Sequence, residues 1–181
     1  MAGTLTVQNL QGPTSGANAN KVIIPSGQTI DASAGTLVPS AGQIVQVVRD
    51  YDEQIGHTST TSTSLVASGL TSSITPVYSD SLIFVDFSVT MTHANSSATL
   101  YSTMYIKVGS GSMAAMSGAG NFHCAYSTTS QYPPVNFRGS YTATSTDTIT
   151  FEPYFKTGAA GTVYLTHSGA SYAFTLTEVK Q

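Results

Sequence analysis

Apolar and polar positions alternate in short runs from residue 43 onward. The clearest run places Ile83, Val85, Phe87, Val89 and Met91 on one face, with Asp86, Ser88, Thr90 and Thr92 on the other. A period of two is that of a strand buried on one side only. After the polar loop His93-Ala94-Asn95-Ser96-Ser97 the alternation resumes, with Leu100, Met104, Ile106 and Val108 opposite Tyr101, Thr103, Tyr105 and Lys107. These two runs read as a hairpin. Residues 43–51 (QIVQVVRDY) form another strand, its alternation interrupted at Val47-Val48. Further strands are expected over 65–76, 121–127, 135–142, 148–156, 162–167 and 171–179, about nine in all. Between them, 109–120 (GSGSMAAMSGAG) is a small-residue loop. Its Met113 and Met116 either pin it to the body or begin a short helical turn.

Residues 1–42 follow a different pattern. Leu5, Val7 and Leu10 precede Gly12-Pro13, Val22-Ile23-Ile24 precede Pro25-Ser26-Gly27, and Ile30, Leu37 and Val38 follow. These read as short strands broken by turns. So few large apolar side chains cannot close a private core, because a small unit buries too little surface to offset chain entropy. The chain therefore divides into an N-terminal attachment or shaft segment, 1–42, and a C-terminal head, 43–181. The apolar residues Leu5, Val7, Leu10, Val22, Ile23, Ile24 and Ile30 are the expected contacts with partners, either copies of the segment wound about a three-fold axis or a groove on a larger assembly.

Composition narrows the fold class. Only 8% of the 181 residues are charged, while Ser and Thr fill about 52 positions and Gly adds 16. These residues are poor helix formers, so an all-β fold is expected: an antiparallel β-sandwich or jelly-roll-like head behind an extended N-terminal arm. The net charge is −3, and the six basic residues are scattered, so no stripe exists to neutralise phosphates and nucleic-acid binding is not expected. The longest apolar runs, Val22-Ile23-Ile24 and Leu82-Ile83-Phe84-Val85, are far too short for a spanning helix. No membrane insertion is expected. The opening Met1-Ala2-Gly3-Thr4-Leu5 lacks the basic start and apolar stretch of a signal peptide.

Candidate chemistry is sparse. There is no G-x-S-x-G nucleophile elbow. His57, His93, His123 and His167 lack ligand spacing, and His123 and Cys124, neighbours on one strand, point to opposite faces. A single cysteine excludes an internal disulfide. Asp50, Asp52 and Glu53 form the densest acidic cluster, but the glycine-turned loop of a calcium site is missing. Asn95-Ser96-Ser97 fits a glycosylation sequon, a match that six asparagines among this many hydroxyl residues yield by chance. The only strand-embedded carboxylates to nominate as a glycosidase pair are Asp86 and Glu152, and no pattern brings them together. Neither enzymatic activity, nor a metal, nor a cofactor is expected. Tyrosine is more suggestive, with ten Tyr, seven Phe and no Trp. Exposed Tyr stacks on sugars or proteins, whereas Tyr101 and Tyr105 are expected to pack across strands or between subunits.

Two stretches carry a resemblance. One is Leu10-Gln11-Gly12-Pro13-Thr14-Ser15-Gly16 running into Lys21-Val22-Ile23-Ile24-Pro25-Ser26-Gly27-Gln28-Thr29-Ile30-Asp31. The other is Ser68-Gly69-Leu70-Thr71-Ser72-Ser73-Ile74-Thr75-Pro76 with Ser79-Asp80-Ser81-Leu82-Ile83 and the terminal Phe174-Thr175-Leu176-Thr177-Glu178-Val179. Together they resemble tail-fibre-like virion surface proteins of tailed bacteriophages of aquatic and cyanobacterial hosts. The resemblance implies a homotrimer with an N-terminal shaft and a β-rich head, exposed on the particle exterior after assembly in the host cytoplasm. It further implies an N-terminal segment that binds other virion proteins, for attachment or trimerisation, and a head that meets a host cell-surface glycan or protein, as in a tail fibre or host-binding tip. The chain is short for a complete fibre, which leaves a capsid decoration protein as the alternative and a glycan depolymerase as a third reading.

If strands run up and down from an N-terminal attachment, loops 52–62, 93–98, 128–134 and 157–161 lie at the far end. His93, Asn95, Gln131, Tyr132 and Lys156 are then the expected receptor contacts.

Overall fold

The computed structural model describes residues 12–17, 19, 21–29, 38–52, 58–93, 99–118, 122–124, 134–159, 161–166 and 171–181. Contacts divide the chain into two units, Met1–Val38 and Pro39–Gln181.

In the first unit the described residues form turns, closed by Ala19 N–H donating to Gly16 O at 3.1 Å and Gln28 N–H to Pro25 O at 3.1 Å. The short strand expected at Val22-Ile23-Ile24 does not form, because no ladder partner lies beside it among the described residues. Leu5, Val7, Leu10 and Ile30 lie outside the described residues.

The second unit is all-β, with no helix among its described residues. Its strands are β1 (Ile44–Asp52), β2 (Thr58–Thr60), β3 (Val66–Ala67), β4 (Ser72–Ile74), β5 (Leu82–Thr90), β6 (Thr92–His93), β7 (Leu100–Val108), β8 (Ala114–Ala115), β9 (Phe122–Cys124), β10 (Pro134–Thr142), β11 (Ile149–Thr157), β12 (Val163–Thr166) and β13 (Tyr172–Val179). One sheet runs β1-β13-β5-β10. The second runs β3-β11-β7-β8, with β4 also on β11 and β9 also on β7, and a small third sheet runs β2-β12-β6. Every pairing is antiparallel. Following the chain, β1 lies in the first sheet, β3 and β4 in the second, β5 in the first, β7 and β9 in the second. Then β10 returns to the first, β11 to the second and β13 to the first. This alternation of sheets makes the β-sandwich a jelly roll.

The expected hairpin between 83–91 and 100–108 is corrected by this topology. β5 pairs with β10 and β13, whereas β7 pairs with β8, β9 and β11. Both runs do have a buried face, as their alternation requires. Two such faces cover each other across a sandwich, whereas side by side in one sheet both would still need a cover. The 109–120 loop takes the pinned form: Met116 is buried and its N–H donates to Met104 O at 2.9 Å, while Ala114–Ala115 pair with β7.

The core lies between the two sheets. The register puts Phe174, Phe87 and Phe137 side by side on the inner face of the first sheet, with the rings of Phe87 and Phe174 4.5 Å apart. Ile149, Phe151 and Phe155 of β11 and Leu100 and Met104 of β7 face them, and all five are essentially inaccessible. Val163 and Leu165 of β12 extend the same core.

One edge of β11 is divided. Ile149–Phe151 pair with β4, and Tyr154 and Phe155 pair with β3. Between them sits Pro153, whose carbonyl accepts from Ser68 N–H at 3.2 Å. In an antiparallel strand a residue's N–H and C=O point to the same side, so the donor that proline lacks is missing on this side. The ladder breaks there and the chain loops out over 68–71. Gly69 serves the loop with φ +76°, a conformation glycine adopts without cost, and its N–H donates to Glu152 Oε1 at 2.8 Å.

Glu178 holds the next crossing. Its carboxylate accepts from Gln46 Nε2 at 2.6 Å, Val77 N–H at 2.9 Å and Tyr78 N–H at 3.2 Å, and the residue is fully buried. Burial pushes its carboxyl upward. The adjacent Ser81 hydroxyl, which has no partner in strict hydrogen-bond geometry, the Gln46 amide and the two backbone N–H groups outweigh that, leaving it below the ordinary glutamate range. Folding therefore favours the charged form. The resulting stability is present above the unfolded-state value and is lost as pH falls through the folded one. Replacing Glu178 by Ala orphans three donors and lowers unfolding free energy by about 2–3 kcal/mol in urea titrations followed by circular dichroism. The gap between wild type and variant is expected to narrow on acidification below the ordinary glutamate range. A gap that widens instead would contradict this account.

Candidate functional site

The strand registers orient the head. Asp52 faces Tyr172, Thr90 faces Pro134, and in the second sheet Leu100 faces both Thr157 and Cys124. The strand ends flanking the loops after β1, after β6, after β9 and after β12 therefore converge at one end. At the other end Gly42 N–H donates to Lys180 O at 2.7 Å and Lys180 N–H to Gln43 O at 3.0 Å, so the chain enters the head beside its own C-terminal strand. Turns join strands at the entering end as well, over 75–81, 109–113 and 143–148.

Of the residues expected at the far end, His93 closes β6 with its backbone opposite Val163. Asn95, Gln131 and Tyr132 lie outside the described residues. Lys156 is described, at the penultimate position of β11 where the strand over 148–156 was expected to end, and it faces Tyr101 with Nζ 5.7 Å from the ring centroid. That is within cation–π range. His57 and His167 lie outside the described residues, and His123 and Cys124 are placed by backbone pairing with Tyr101 and Leu100. No group of three metal-ligating side chains occurs among the described residues.

The outer faces of the two sheets differ in chemistry. On the first, the register aligns Val47–Thr177–Phe84–Ser140, then Arg49–Thr175–Asp86–Arg138, then Tyr51–Ala173–Ser88–Asn136. The Asp86–Arg138 ion pair, 2.7 Å long and solvent-exposed, stands between two shallow depressions. The one toward the loop end, about 270 Å³, is floored by Ser88, Ala173 and Thr175. The one toward the end where the chain enters, about 320 Å³, is bounded by Phe84 and Ser140. Polarity thus grades along the sheet: Ile44, Val47 and Phe84 are exposed near the entering chain, and polar side chains and Tyr51 lie nearer the loops.

On the second sheet the outer face carries tyrosines. Tyr105 stacks on Tyr154 with centroids 3.9 Å apart and planes 15° from parallel. Tyr101 and Tyr105 thus meet the packing expectation and are not free stacking platforms. Burial, followed by the charges of Glu152 and Tyr105, pushes the Tyr154 phenol above its ordinary range. Asp86 is on the outer face of the first sheet and Glu152 on β11 of the second, so the core separates the two carboxylates. They share no cleft, and each is already engaged, by Arg138 and by Gly69 N–H.

Asp50, in the acidic cluster, accepts from the Ser72 hydroxyl and thereby ties β1 to β4 across the edge of the sandwich. Asp52 continues the same strand in its backbone, and Glu53 lies outside the described residues. Sequence reading missed Glu178 and Glu152 as anchors. For Glu178 a signal existed, since Phe174, Leu176 and Glu178 share one parity and the first two are core residues.

These features define a jelly-roll β-sandwich with a graded outer face and clustered loop ends. No protein-family model matches the chain, and no curated protein does. Among solved structures, the crystal structure of the infectious bursal disease virus VP2 subviral particle aligns with a TM-score of 0.48 at 18% identity, over 91% of this chain and 40% of that one. The structure of the infectious bursal disease virus Gx strain aligns with a TM-score of 0.36 at 16% identity, over 87% of this chain and 42% of that one. The chain spans about two fifths of the length of those proteins.

The stacked tyrosines give a direct check. A double-mutant cycle on Tyr105→Ala and Tyr154→Ala is expected to yield a coupling of about 1 kcal/mol. Tyr154→Phe is expected to remove, from an ultraviolet tyrosinate titration, a phenol that ionises above the usual range. Additive single variants and an unchanged titration would refute the contact.

Proposed function

We propose that this chain is a non-enzymatic virion surface protein of a tailed bacteriophage, a homotrimeric tail fibre or host-binding tip. The N-terminal segment attaches it to other virion proteins, and the loop end of the head engages a host glycan or protein. The observation that carries the reading is the sandwich head, in which the strand ends at Asp52, Thr90, Leu100, Thr157 and Tyr172 gather at the end opposite the one where the chain enters. A rigid sandwich with loops gathered at its free end is the arrangement by which scaffolds present recognition residues. The resemblance of 10–31, 68–83 and 174–179 to tail-fibre-like proteins supports the virion setting. Engagement of both Asp86 and Glu152 in structural contacts supports a binding protein over a depolymerase.

Immunogold electron microscopy on particles of the encoding phage tests the location. Label confined to the tail is expected. Label following capsid symmetry would move the protein to capsid decoration, and absence from purified particles would end the virion reading. For recognition, Asn95→Ala with Tyr132→Ala is expected to slow host adsorption about tenfold or more, with unchanged circular dichroism. Intact adsorption would remove those loops from the receptor site.

A further inference from the structure

Side-chain size varies sharply across one row of the first sheet's outer face. Tyr51, Ala173, Ser88 and Asn136 stand side by side on four neighbouring strands. The two central side chains are the smallest, so the row dips between a tyrosine that is 53% exposed and an exposed asparagine. Three strand spacings, about 14 Å, separate those two flanks. Toward the entering chain, Thr175 continues the floor and the Asp86–Arg138 pair closes the dip. This is the depression of about 270 Å³ on the loop side of that pair. Small-molecule sites begin at roughly 300 Å³, so it has room for a single small ring and not for a drug-sized ligand.

Its chemistry selects the ring. Arg138 Nε donates to Asp86 Oδ1 at 2.7 Å, yet the two side chains are 85% and 54% exposed, so both keep open edges toward solvent. A donor edge and an acceptor edge thus stand next to each other. Neighbouring hydroxyls on a sugar ring each donate and accept, and they match such a pair through charge-assisted hydrogen bonds. The Ser88 and Thr175 hydroxyls and the Asn136 amide offer further partners of both kinds around the same floor. An anionic ligand would meet Asp86 and a cationic one Arg138, while an apolar one would find only the Ala173 methyl group on the floor. Tyr51, directly opposite Ala173, brings the flat apolar face that packs on the C–H side of a sugar.

We propose that this depression seats a neutral pyranose, with Asp86 and Arg138 holding two adjacent hydroxyls and Tyr51 beside the ring's apolar face. The inference rests on the host-glycan part of the reading above, and narrows it to an uncharged sugar on the sheet face next to the loops.

Saturation-transfer NMR on the full chain tests it, with the methyl pyranosides of glucose, galactose and mannose as probes and methyl glucuronide as the charged control. At least one neutral probe is expected to bind, with a Kd on the order of 1 mM. Asp86→Ala and Ala173→Leu are each expected to weaken that binding about tenfold or more, the first by removing a charged acceptor and the second by filling the floor. Phe84→Ser, in the other depression, leaves it within about twofold. Circular dichroism checks the fold of each variant. Should a variant misfold, the wild type decides: the neutral probe is expected to shift the amide resonances of Asp86, Ser88, Asn136 and Ala173. The absence of saturation transfer to every neutral probe overturns the proposal, as does tighter binding of the glucuronide or a set of shifts confined to other residues. Particle labelling reads the virion role independently. Label on the tail with no sugar bound refutes this site alone, and sugar bound by a protein absent from particles leaves the site standing and removes the virion reading.

Discussion

The crossing of residues 68–78 from the second sheet to the first is the constraint on which the remaining topology depends. It passes over the edge of the sandwich, where backbone donors leave the ladders and need other acceptors. Two carboxylates supply them: Glu152 receives Gly69 N–H, and Glu178 receives Val77 and Tyr78 N–H together with the Gln46 amide. A buried carboxylate is costly unless donors surround it, and buried N–H groups are costly unless acceptors meet them. Here each solves the other's problem. Asp50 and Ser72 add a third tie across the same edge. With that side closed, β5 is delivered to the middle of the first sheet, between β13 and β10, and the order of both sheets follows.

Pro153 takes part in the same arrangement. A proline in a strand flanked on both sides normally breaks pairing at a cost in hydrogen bonds. In β11 the missing donor faces the loop, so the break falls where the chain needs to leave the sheet. Ladder interruption, glycine turn and carboxylate acceptor coincide within a few residues. The head consequently has a firm side, at 68–78.

The legibility of this fold in the sequence was uneven, for physical reasons. Period-two alternation reports which face of a strand is buried, and it marked Ile83 through Met91 as core facing. It says nothing about which strand lies alongside. Proximity in sequence suggested that 83–91 and 100–108 pair, yet they lie in different sheets. Hydroxyl-rich composition was a reliable guide to the absence of helices among the described residues. Glu178 and Glu152 went unread as anchors, because alternation does not tell that a loop will cross over a carboxylate and bring it backbone donors. Lys156 was expected at the end of a strand over 148–156, and β11, Ile149–Thr157, places it there. Val22-Ile23-Ile24 had strand composition without a strand neighbour among the described residues, and composition alone does not make a ladder.

The graded outer face of the first sheet bears on how such a head can be oriented. Its charged row, Arg49, Asp86 and Arg138, is exposed, and the Asp86–Arg138 pair adds little stability in water. That row separates an apolar region near the entering chain from a polar region near the loops. An apolar strip on a sheet face is a liability for a protein that must stay soluble, since it invites unplanned association. It is tolerable where a regular contact covers it and where charge borders it on the open side. The position of Asp86 and Arg138 fits the second condition: their exposed charges border the apolar strip of Ile44, Val47 and Phe84 on the side toward the loop end.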